Sequence, residues 1–230
     1  GRAGSGKTFA IANSVEGRRA LFLAPTHPAC AVLQQELTGT RHIVATIHSA
    51  IGWRQTRDDN ANKIVTYRAA SDPKNLSLDV LGTSREWFPG IDIIVVDELS
   101  MVGSFLFYAI EDYAKEFNLP VVYSGDPYQL PPVGDREVVM DQGFKTITME
   151  ASIRFTKESS IYKLGEVLRD LIDTKPNEDL KRIRGKGDVC VLEGRQWMEQ
   201  LTQGYGNGDS LLAVAYDNDT LHQLRGKVRK

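Results

Sequence analysis

The 230-residue sequence has little of what marks secreted, membrane or disulfide-stabilised proteins. Its two cysteines, Cys30 and Cys190, lie far apart and form no Cys-x-x-Cys motif, which argues against a zinc site and against a disulfide scaffold. No apolar run approaches the roughly 18 residues that a membrane-spanning helix requires. We therefore expect an intracellular, reducing compartment, such as the cytoplasm of a bacterial or phage-infected cell, and no membrane contact.

The sequence also lacks an excess of charge of either sign. It has 28 Lys and Arg against 30 Asp and Glu, for a net charge of -2. Proteins that bind a polyanion over a whole face carry clustered positive charge, so any nucleic-acid partner would have to be held by a local groove. The chain is 41% hydrophobic and 25% charged, which is ordinary for a globular protein.

What the sequence does contain is a complete G-x-x-x-x-G-K-T phosphate-binding motif at residues 1–8. Its glycines let the backbone curl so that successive N–H groups point at a polyphosphate, and the following helix adds its positive end. Lys7 supplies a charge for the outer phosphates, and the Thr8 hydroxyl is a suitable Mg²⁺ ligand. We predict that a nucleoside triphosphate is bound by Gly4, Ser5, Gly6, Lys7 and Thr8.

Such a loop is normally preceded by a buried strand, and no strand precedes residue 1 of this sequence. We therefore expect the chain to be a fragment of a longer reading frame, with one strand of its sheet missing. An incomplete sheet exposes unpaired backbone groups and apolar surface. The sequence predicts poor solubility or dimer-like strand pairing for the isolated fragment.

Apolar strands alternate with helices along most of the chain. The strands are predicted at residues 20–24, 42–45, 91–96 and 121–124, and the helices between them at residues 8–17, 28–37 and 104–117. Unbroken apolar strands between helices are typical of a parallel sheet covered on both faces. The predicted fold class is therefore α/β, of the P-loop NTPase type.

The pattern changes at two places. Residues 53–90 are polar and rich in Asn and Asp, which predicts an inserted subdomain within a first domain over residues 1–150. Residues 151–230 are predicted to begin a second domain, with a helix at 158–173 and strands at 189–192 and 211–215.

Polar residues follow two of the predicted strands. Asp97 and Glu98 come after residues 91–96, where Asp97 can hold Mg²⁺ and Glu98 can polarise the water that attacks the γ-phosphate. The pair could instead cap the next helix. Gln129 follows residues 121–124 in a Gly-Asp-Pro-Tyr-Gln turn, and its amide suits a sensor of the γ-phosphate, although Gly-Asp-Pro alone is only a good turn.

The order of five segments resembles that of superfamily 1 helicases, specifically the RecD-like and phage Dda-like group. They are the phosphate loop, Pro25-Thr26-His27, Thr46-Ile47-His48-Ser49, Asp97-Glu98-Leu99-Ser100-Met101 and Gly125-Asp126-Pro127-Tyr128-Gln129-Leu130. The resemblance continues through Met149-Glu150-Ala151-Ser152-Ile153-Arg154-Phe155 and extends loosely to the end of the chain. It implies a RecA-like first domain and the start of a second RecA-like domain.

The resemblance implies roles for individual residues. Lys7 and Thr8 would bind phosphate and Mg²⁺, Asp97 would bind Mg²⁺ and Glu98 would activate water. Gln129 and Arg154 would sense the γ-phosphate. The implied cofactors are ATP and Mg²⁺, and the catalytic set is Lys7, Glu98, Gln129 and Arg154.

The resemblance also implies an ATP-dependent helicase that moves 5' to 3' on single-stranded DNA and meets DNA forks, with replication or recombination proteins as partners. Its pathway stays open among replication, recombination and repair. The DNA track would be lined by Pro25, Thr26, His27, Thr46 and His48, through contacts to sugar and phosphate. A histidine packed under a loop is the alternative for His48.

Two further features are ambiguous. A strand-separating pin would fall within residues 53–90, where Tyr67, Trp87 or Phe88 could unstack a fork or pack a small core of their own. The basic run His222, Arg225, Lys227, Arg229 and Lys230 either contacts phosphates or forms a solvated helix face.

Two other functions share the phosphate loop. A nucleotide-dependent switch or loader would bind DNA without unwinding it, and a small-molecule phosphotransferase would need an acceptor pocket and a lid. The Gln129, Arg154, Pro25-Thr26 and Thr46-His48 segments favour the motor over the phosphotransferase. By resemblance, the last helicase motifs would lie beyond residue 230.

Overall fold

The computed structural model describes residue 2 and residues 4–51, 54–56, 66–68, 90–174, 189–190, 192–215 and 218–228. The chain divides into two compact units, Gly1–Thr156 and Lys157–Lys230. Within the described residues, no helix is both long enough and apolar enough to cross a membrane.

The first unit is built on a four-stranded parallel sheet. The strands, in chain order, are β1 (Ala20–Ala24), β2 (Ile43–Thr46), β3 (Arg54–Thr56), β4 (Thr66–Arg68), β5 (Ile93–Val96) and β6 (Val121–Tyr123). The four-stranded sheet has the order β2-β1-β5-β6, and β3 and β4 form a separate antiparallel pair.

Helices cover both faces of this sheet. They are α1 (Lys7–Ser14), α2 (His27–Glu36), α3 (Ile47–Ala50) and α4 (Ser104–Glu116), with short 3-10 turns at Leu99–Met101 and Met140–Gln142. Alternate residues of a strand point to opposite faces, so β1 contributes to two cores. Phe22 packs with Cys30 and Leu33 of α2, whereas Leu21 and Leu23 belong to the core beneath α3 and α4. The predicted α/β fold, with a parallel sheet between two helical layers, is confirmed.

The order of the strands locates a crevice for ligands. The α2 crossover from β1 leads to β2 at one edge, while the α4 crossover from β5 leads to β6 at the other. The direction of winding therefore reverses between β1 and β5. In parallel α/β sheets ligands bind at such a point, beyond the carboxyl ends of the strands.

The antiparallel pair β3–β4 lies within the segment predicted as an insertion, and Gln55 is paired with Tyr67. Only the backbone of Tyr67 is described, and Trp87 and Phe88 lie outside the described residues. The strand-separating pin stays a prediction.

In the described part of the second unit, three helices are present: α5 (Ser160–Thr174), α6 (Gly194–Asn207) and α7 (Asn218–Val228). Leu201 and Gly204 are buried on α6. The expected strand at residues 211–215 is wrong, because these described residues pair with no strand and Leu212 is 89% exposed. At 189–192, Val189 makes a single bridge while Cys190 and Leu192 are irregular. An apolar run forms a strand only where a neighbouring strand takes up its backbone hydrogen bonds.

The unit boundary after Thr156 lies a few residues beyond the predicted domain boundary at 150. The assignment of residues 151–230 to a RecA-like domain stays a prediction. Of the predicted basic run, His222 and Arg225 lie on α7, whereas Arg229 and Lys230 lie outside the described residues.

Candidate functional site

The phosphate-binding motif forms a tight loop before α1. Gly4 has φ 69° and Gly6 has φ 77°, a left-handed conformation that glycine adopts without steric cost. Gly6 directly precedes the first turn of α1. The Lys7 ammonium donates a hydrogen bond from Nζ to the carbonyl oxygen of Arg2, at 2.9 Å, so the lysine folds back over its own loop.

Ser5 lies within this loop and indicates what the loop can hold. Its side chain is 1% exposed, and its hydroxyl has no hydrogen-bond partner in the described part of the chain. Buried polar groups are almost always paired, so an unpaired hydroxyl at this place suits an external acceptor. Together with the left-handed glycines and the start of α1, it makes the loop fit a polyphosphate.

The segment that contains Arg154 is docked on the same loop. The backbone N–H groups of Ile153 and Arg154 both donate to the Gly4 carbonyl, at 2.8 and 3.2 Å, and Arg2 N donates to Met149 O at 3.1 Å. A Cβ on Gly4 would lie 2.6 Å from the Arg154 Cβ, so glycine is needed there for space as well as for conformation. The structure thus brings Arg154 to the phosphate loop, within the first unit.

Asp97 lies at the carboxyl end of β5 and faces the first turn of α1. The backbone N–H of Asp97 donates to Leu23 O at 2.8 Å, and this hydrogen bond attaches the end of β5 to β1. The Thr8 hydroxyl donates to Asp97 Oδ2 at 3.4 Å. No cluster of three or more His, Cys, Asp or Glu side chains suited to a metal occurs among the described residues. Two oxygen ligands from separate elements fit Mg²⁺, which takes its other ligands from phosphate and water.

Glu98 follows in an unusual backbone conformation, with φ 55° in a residue other than glycine. Such strain is maintained only where surrounding structure enforces it, and it is common at functional sites. Burial is the main cause that raises the pKa of Glu98; the charge of Asp97 raises it further, Lys7 lowers it and Asp126 raises it. A raised pKa makes a carboxylate a better proton acceptor.

The turn after β6 contacts the segment that follows Glu98. Leu99 N donates to Ser124 O at 2.9 Å, and a Cβ on Gly125 would lie 2.6 Å from Leu99 N. Asp126 is 1% exposed; its Oδ1 accepts from Tyr128 N at 3.2 Å, and its carbonyl accepts from Gln129 N at 3.0 Å. The Gln129 side chain is exposed at this turn.

The residues predicted to line a DNA track lie at the ends of β1 and β2, which are neighbours in the sheet. Thr26 Oγ1 accepts from Ala29 N at 3.3 Å and caps α2, and Thr46 Oγ1 accepts from Ser49 N at 3.1 Å and caps α3. Both threonines therefore have a structural role. Of the other predicted residues, His27 is exposed, while Pro25 and His48 are half-buried.

Two acidic residues that follow β6 were not singled out from the sequence. Asp126 was treated as part of a turn, although its carboxylate is buried. Asp135 accepts a hydrogen bond from the Ser104 hydroxyl at 2.8 Å, across 31 residues of sequence. The Gly-Asp step at Asp126 is a local signal that could have marked the first, whereas no local pattern connects Asp135 with Ser104.

Comparison with known proteins extends these observations. The AAA domain family matches residues 1–194. Two structures of Bacteroides Pif1 are similar with TM-scores of 0.50 and 19% identity: one is in complex with ADP-AlF4 (87% of this chain, 50% of that chain), the other with ADP-AlF3 and ssDNA (92% and 53%).

An uncharacterized protein of Acanthamoeba polyphaga mimivirus is 21% identical over 262 aligned residues, which cover 100% of this chain and 51% of that protein. The chain thus spans about half the length of the relatives it matches. Because the family match extends over most of the sequence, the chain belongs to the AAA domain family, and it shares the fold of the Bacteroides Pif1 structures.

Proposed function

We propose that this chain is the ATPase core of a DNA helicase that hydrolyses Mg-ATP and moves 5' to 3' along single-stranded DNA. The observation that carries the proposal is the convergence of separate elements at one crevice. Lys7 and Thr8 meet Asp97 and Glu98 there, and Arg154 is docked on the same loop.

The phosphates are held by the loop backbone from Gly4 to Thr8 and by Lys7. Nucleotide binding releases Lys7 from the Arg2 carbonyl, because the ammonium then meets phosphate oxygens instead. Thr8 and Asp97 would hold Mg²⁺, which when bound would supply positive charge that neutralises phosphate oxygens.

Hydrolysis requires a proton acceptor beside the attacking water. Glu98 fills this role, since its raised pKa favours proton uptake and it lies beside Asp97 at the end of β5, directly before the turn Leu99–Met101. Arg154 supplies positive charge to the γ-phosphate side of the loop, and Gln129 reports the state of that phosphate through the turn after β6. Charge developing in the transition state is stabilised by such fixed groups.

The proposed DNA track runs over the adjacent ends of β1 and β2, which carry Pro25, Thr26, His27, Thr46 and His48. Burial lowers the pKa of His48, so this ring is neutral at physiological pH and contacts DNA without a charge. Such contacts would hold sugar and phosphate without reading the bases. Related Pif1 structures with ssDNA and with forked dsDNA support this choice of partner.

Further parts of the proposal rest on the resemblance alone. Residues 151–230 would form part of a second RecA-like domain that closes on ATP, and replication or recombination proteins would be partners. An intracellular location agrees with the two free thiols, Cys30 and Cys190.

Strand separation tests this proposal. The full-length protein is given ATP and a partial DNA duplex that carries either a 5' or a 3' single-stranded tail. Lys7→Ala serves as the inactive control. We expect unwinding only with the 5' tail and only with Lys7 present. ATP hydrolysis that DNA stimulates without any strand separation would support the switch or loader instead, and unwinding from the 3' tail would overturn the direction.

A further inference from the structure

The loop that carries Gln129 is attached at both ends to the segment that directly follows Glu98. We call residues 125–135 the Gln129 loop. At its first end, Gly125 packs against the backbone of Leu99, as described above. At its second end, Asp135 reaches the first turn of α4. Both attachments therefore fall within residues 99–105.

Asp135 makes a dense set of hydrogen bonds at this second end. Its Oδ1 accepts from Ser104 Oγ at 2.8 Å and from Arg136 N at 2.7 Å, and its Oδ2 accepts from Phe105 N at 3.3 Å. Ser104 N in turn donates to Arg136 O at 3.2 Å. We call this arrangement the Asp135 clasp. Hydrogen bonds, that from Ser104 first, lower the pKa of Asp135, so the carboxylate is charged at neutral pH and faces the positive end of α4.

The clasp replaces a local cap. Gly103 precedes α4 and has no side chain, so the helix receives its capping carboxylate from the Gln129 loop. A Cβ on Gly103 would overlap the Asp135 carboxylate, so glycine there leaves the space that the aspartate fills. A helix that needed only a cap could obtain one from Ser, Thr, Asp or Asn at its own N-cap position.

The middle of the Gln129 loop has little packing of its own. Leu130 is 73% exposed and Val133 is 97% exposed, and Gln129 lies beside them. Gln129 N donates to Asp126 O at 3.0 Å next to the first end, and beyond Gln129 the exposed part of the loop is fixed only where Asp135 meets α4, within the described contacts. Few buried contacts also mean that a detached loop would be mobile.

We propose that Asp135 is a positioning residue for ATP hydrolysis, which fixes the Gln129 loop to the start of α4 and so holds Gln129 in place relative to Glu98. The proposal rests on the proposed function. Lys7, Thr8 and Asp97 lie on other elements, so the clasp acts on turnover and not on nucleotide binding.

The test uses the full-length protein. Asp135→Ala is expected to lower kcat by about 10-fold to 100-fold, the range expected when a catalytic group is misplaced. It weakens binding of ADP-aluminium fluoride, which resembles the transition state, and leaves ADP binding unchanged. Asp135→Asn, whose amide oxygen still accepts from Ser104, retains more activity. In a Gln129→Ala background, Asp135→Ala causes no further loss, because the two residues act as one unit.

Asp92→Ala is the matched control. The Asp92 carboxylate accepts from Arg19 N at 2.6 Å, a similar bond across the sheet at the opposite ends of β1 and β5. If Asp92→Ala lowers kcat as much as Asp135→Ala does, Asp135 is only a structural cap. The same conclusion follows if Asp135→Ala lowers kcat in the Gln129→Ala background as much as it does in the wild type. Equal kcat in wild type and Asp135→Ala would overturn the positioning role alone. A wild-type protein that does not hydrolyse ATP would overturn the proposed function and this role together.

Discussion

Thr8 and Asp97 are separated by 89 residues in the sequence, yet the Thr8 hydroxyl donates to Asp97 Oδ2 at 3.4 Å. The contact joins the first turn of α1 to the end of β5, the two elements that would hold a metal between them. A single weak hydrogen bond contributes little to stability. Its value is geometric, because it brings together two oxygen atoms of the kind that Mg²⁺ prefers.

Removal of either ligand should increase the Mg²⁺ requirement. For Thr8→Ala and Asp97→Asn, we expect the Mg²⁺ concentration that supports half-maximal binding of a fluorescent ATP analogue to rise by about 10-fold or more. Thr38→Ala is the control, since this exposed hydroxyl bonds only to Gln34 O within the described structure. An unchanged Mg²⁺ titration in both site variants would show that the metal is held elsewhere.

Glu98→Gln should separate binding from chemistry. The amide is of similar size but cannot accept the proton from water, so we expect ATP binding to be retained while turnover falls by about 100-fold or more. Equilibrium binding and single-turnover hydrolysis measure the two effects. Equal losses of binding and turnover would refute the role of Glu98 as the base.

Gly125→Ala should destabilise the first unit, because the new Cβ would lie 2.6 Å from Leu99 N. Overpacking of this kind costs about 1–3 kcal/mol of unfolding free energy. Gly165→Ala on α5 is the control, since, apart from the adjoining residues and the backbone of α5, no atom of the described residues lies within 4 Å of its added Cβ. Urea denaturation of the wild type and both variants checks the prediction. A Gly125→Ala variant as stable as the wild type would mean that the backbone of Leu99 moves away from residue 125 without an energetic cost.

Protonation of His42 should destabilise the first unit. His42 Nδ1 accepts from Ala20 N at 3.3 Å, and burial lowers the pKa of His42 from its ordinary value of 6.5. The folded pKa lies below the unfolded one, so this stabilisation is present above pH 6.5 and is lost as the pH falls through the folded pKa. His48, whose pKa burial also lowers, adds to the same trend.

The free energy of unfolding is therefore expected to decrease on acidification from neutral pH. In His42→Asn, which keeps an acceptor but does not titrate, the decrease should be smaller. His27→Asn, at an exposed position, serves as the control and should follow the wild type. If the free energy of unfolding of His42→Asn falls as steeply with pH as that of the wild type, protonation of His42 is not a cause of the decrease.

The sheet was largely predictable, because the strands β1 and β5 are short apolar runs buried on both faces. The place of Asp97 and Glu98 at the end of β5 was predictable for the same reason, since they directly follow such a run. The hydrogen bonds from Arg154 to Gly4 and from Ser104 to Asp135 join distant parts of the chain. No local sequence pattern encodes them. The wrong expectation at residues 211–215 came from an apolar run judged without knowledge of its neighbours.

The most direct test of the central claim is the rate of ATP hydrolysis by the full-length protein, measured with increasing concentrations of single-stranded DNA. If the ends of β1 and β2 form a DNA track joined to the phosphate site through β5, DNA should raise kcat, and Glu98→Gln should abolish the stimulated rate. Hydrolysis that does not respond to single-stranded DNA at any concentration would contradict a DNA motor.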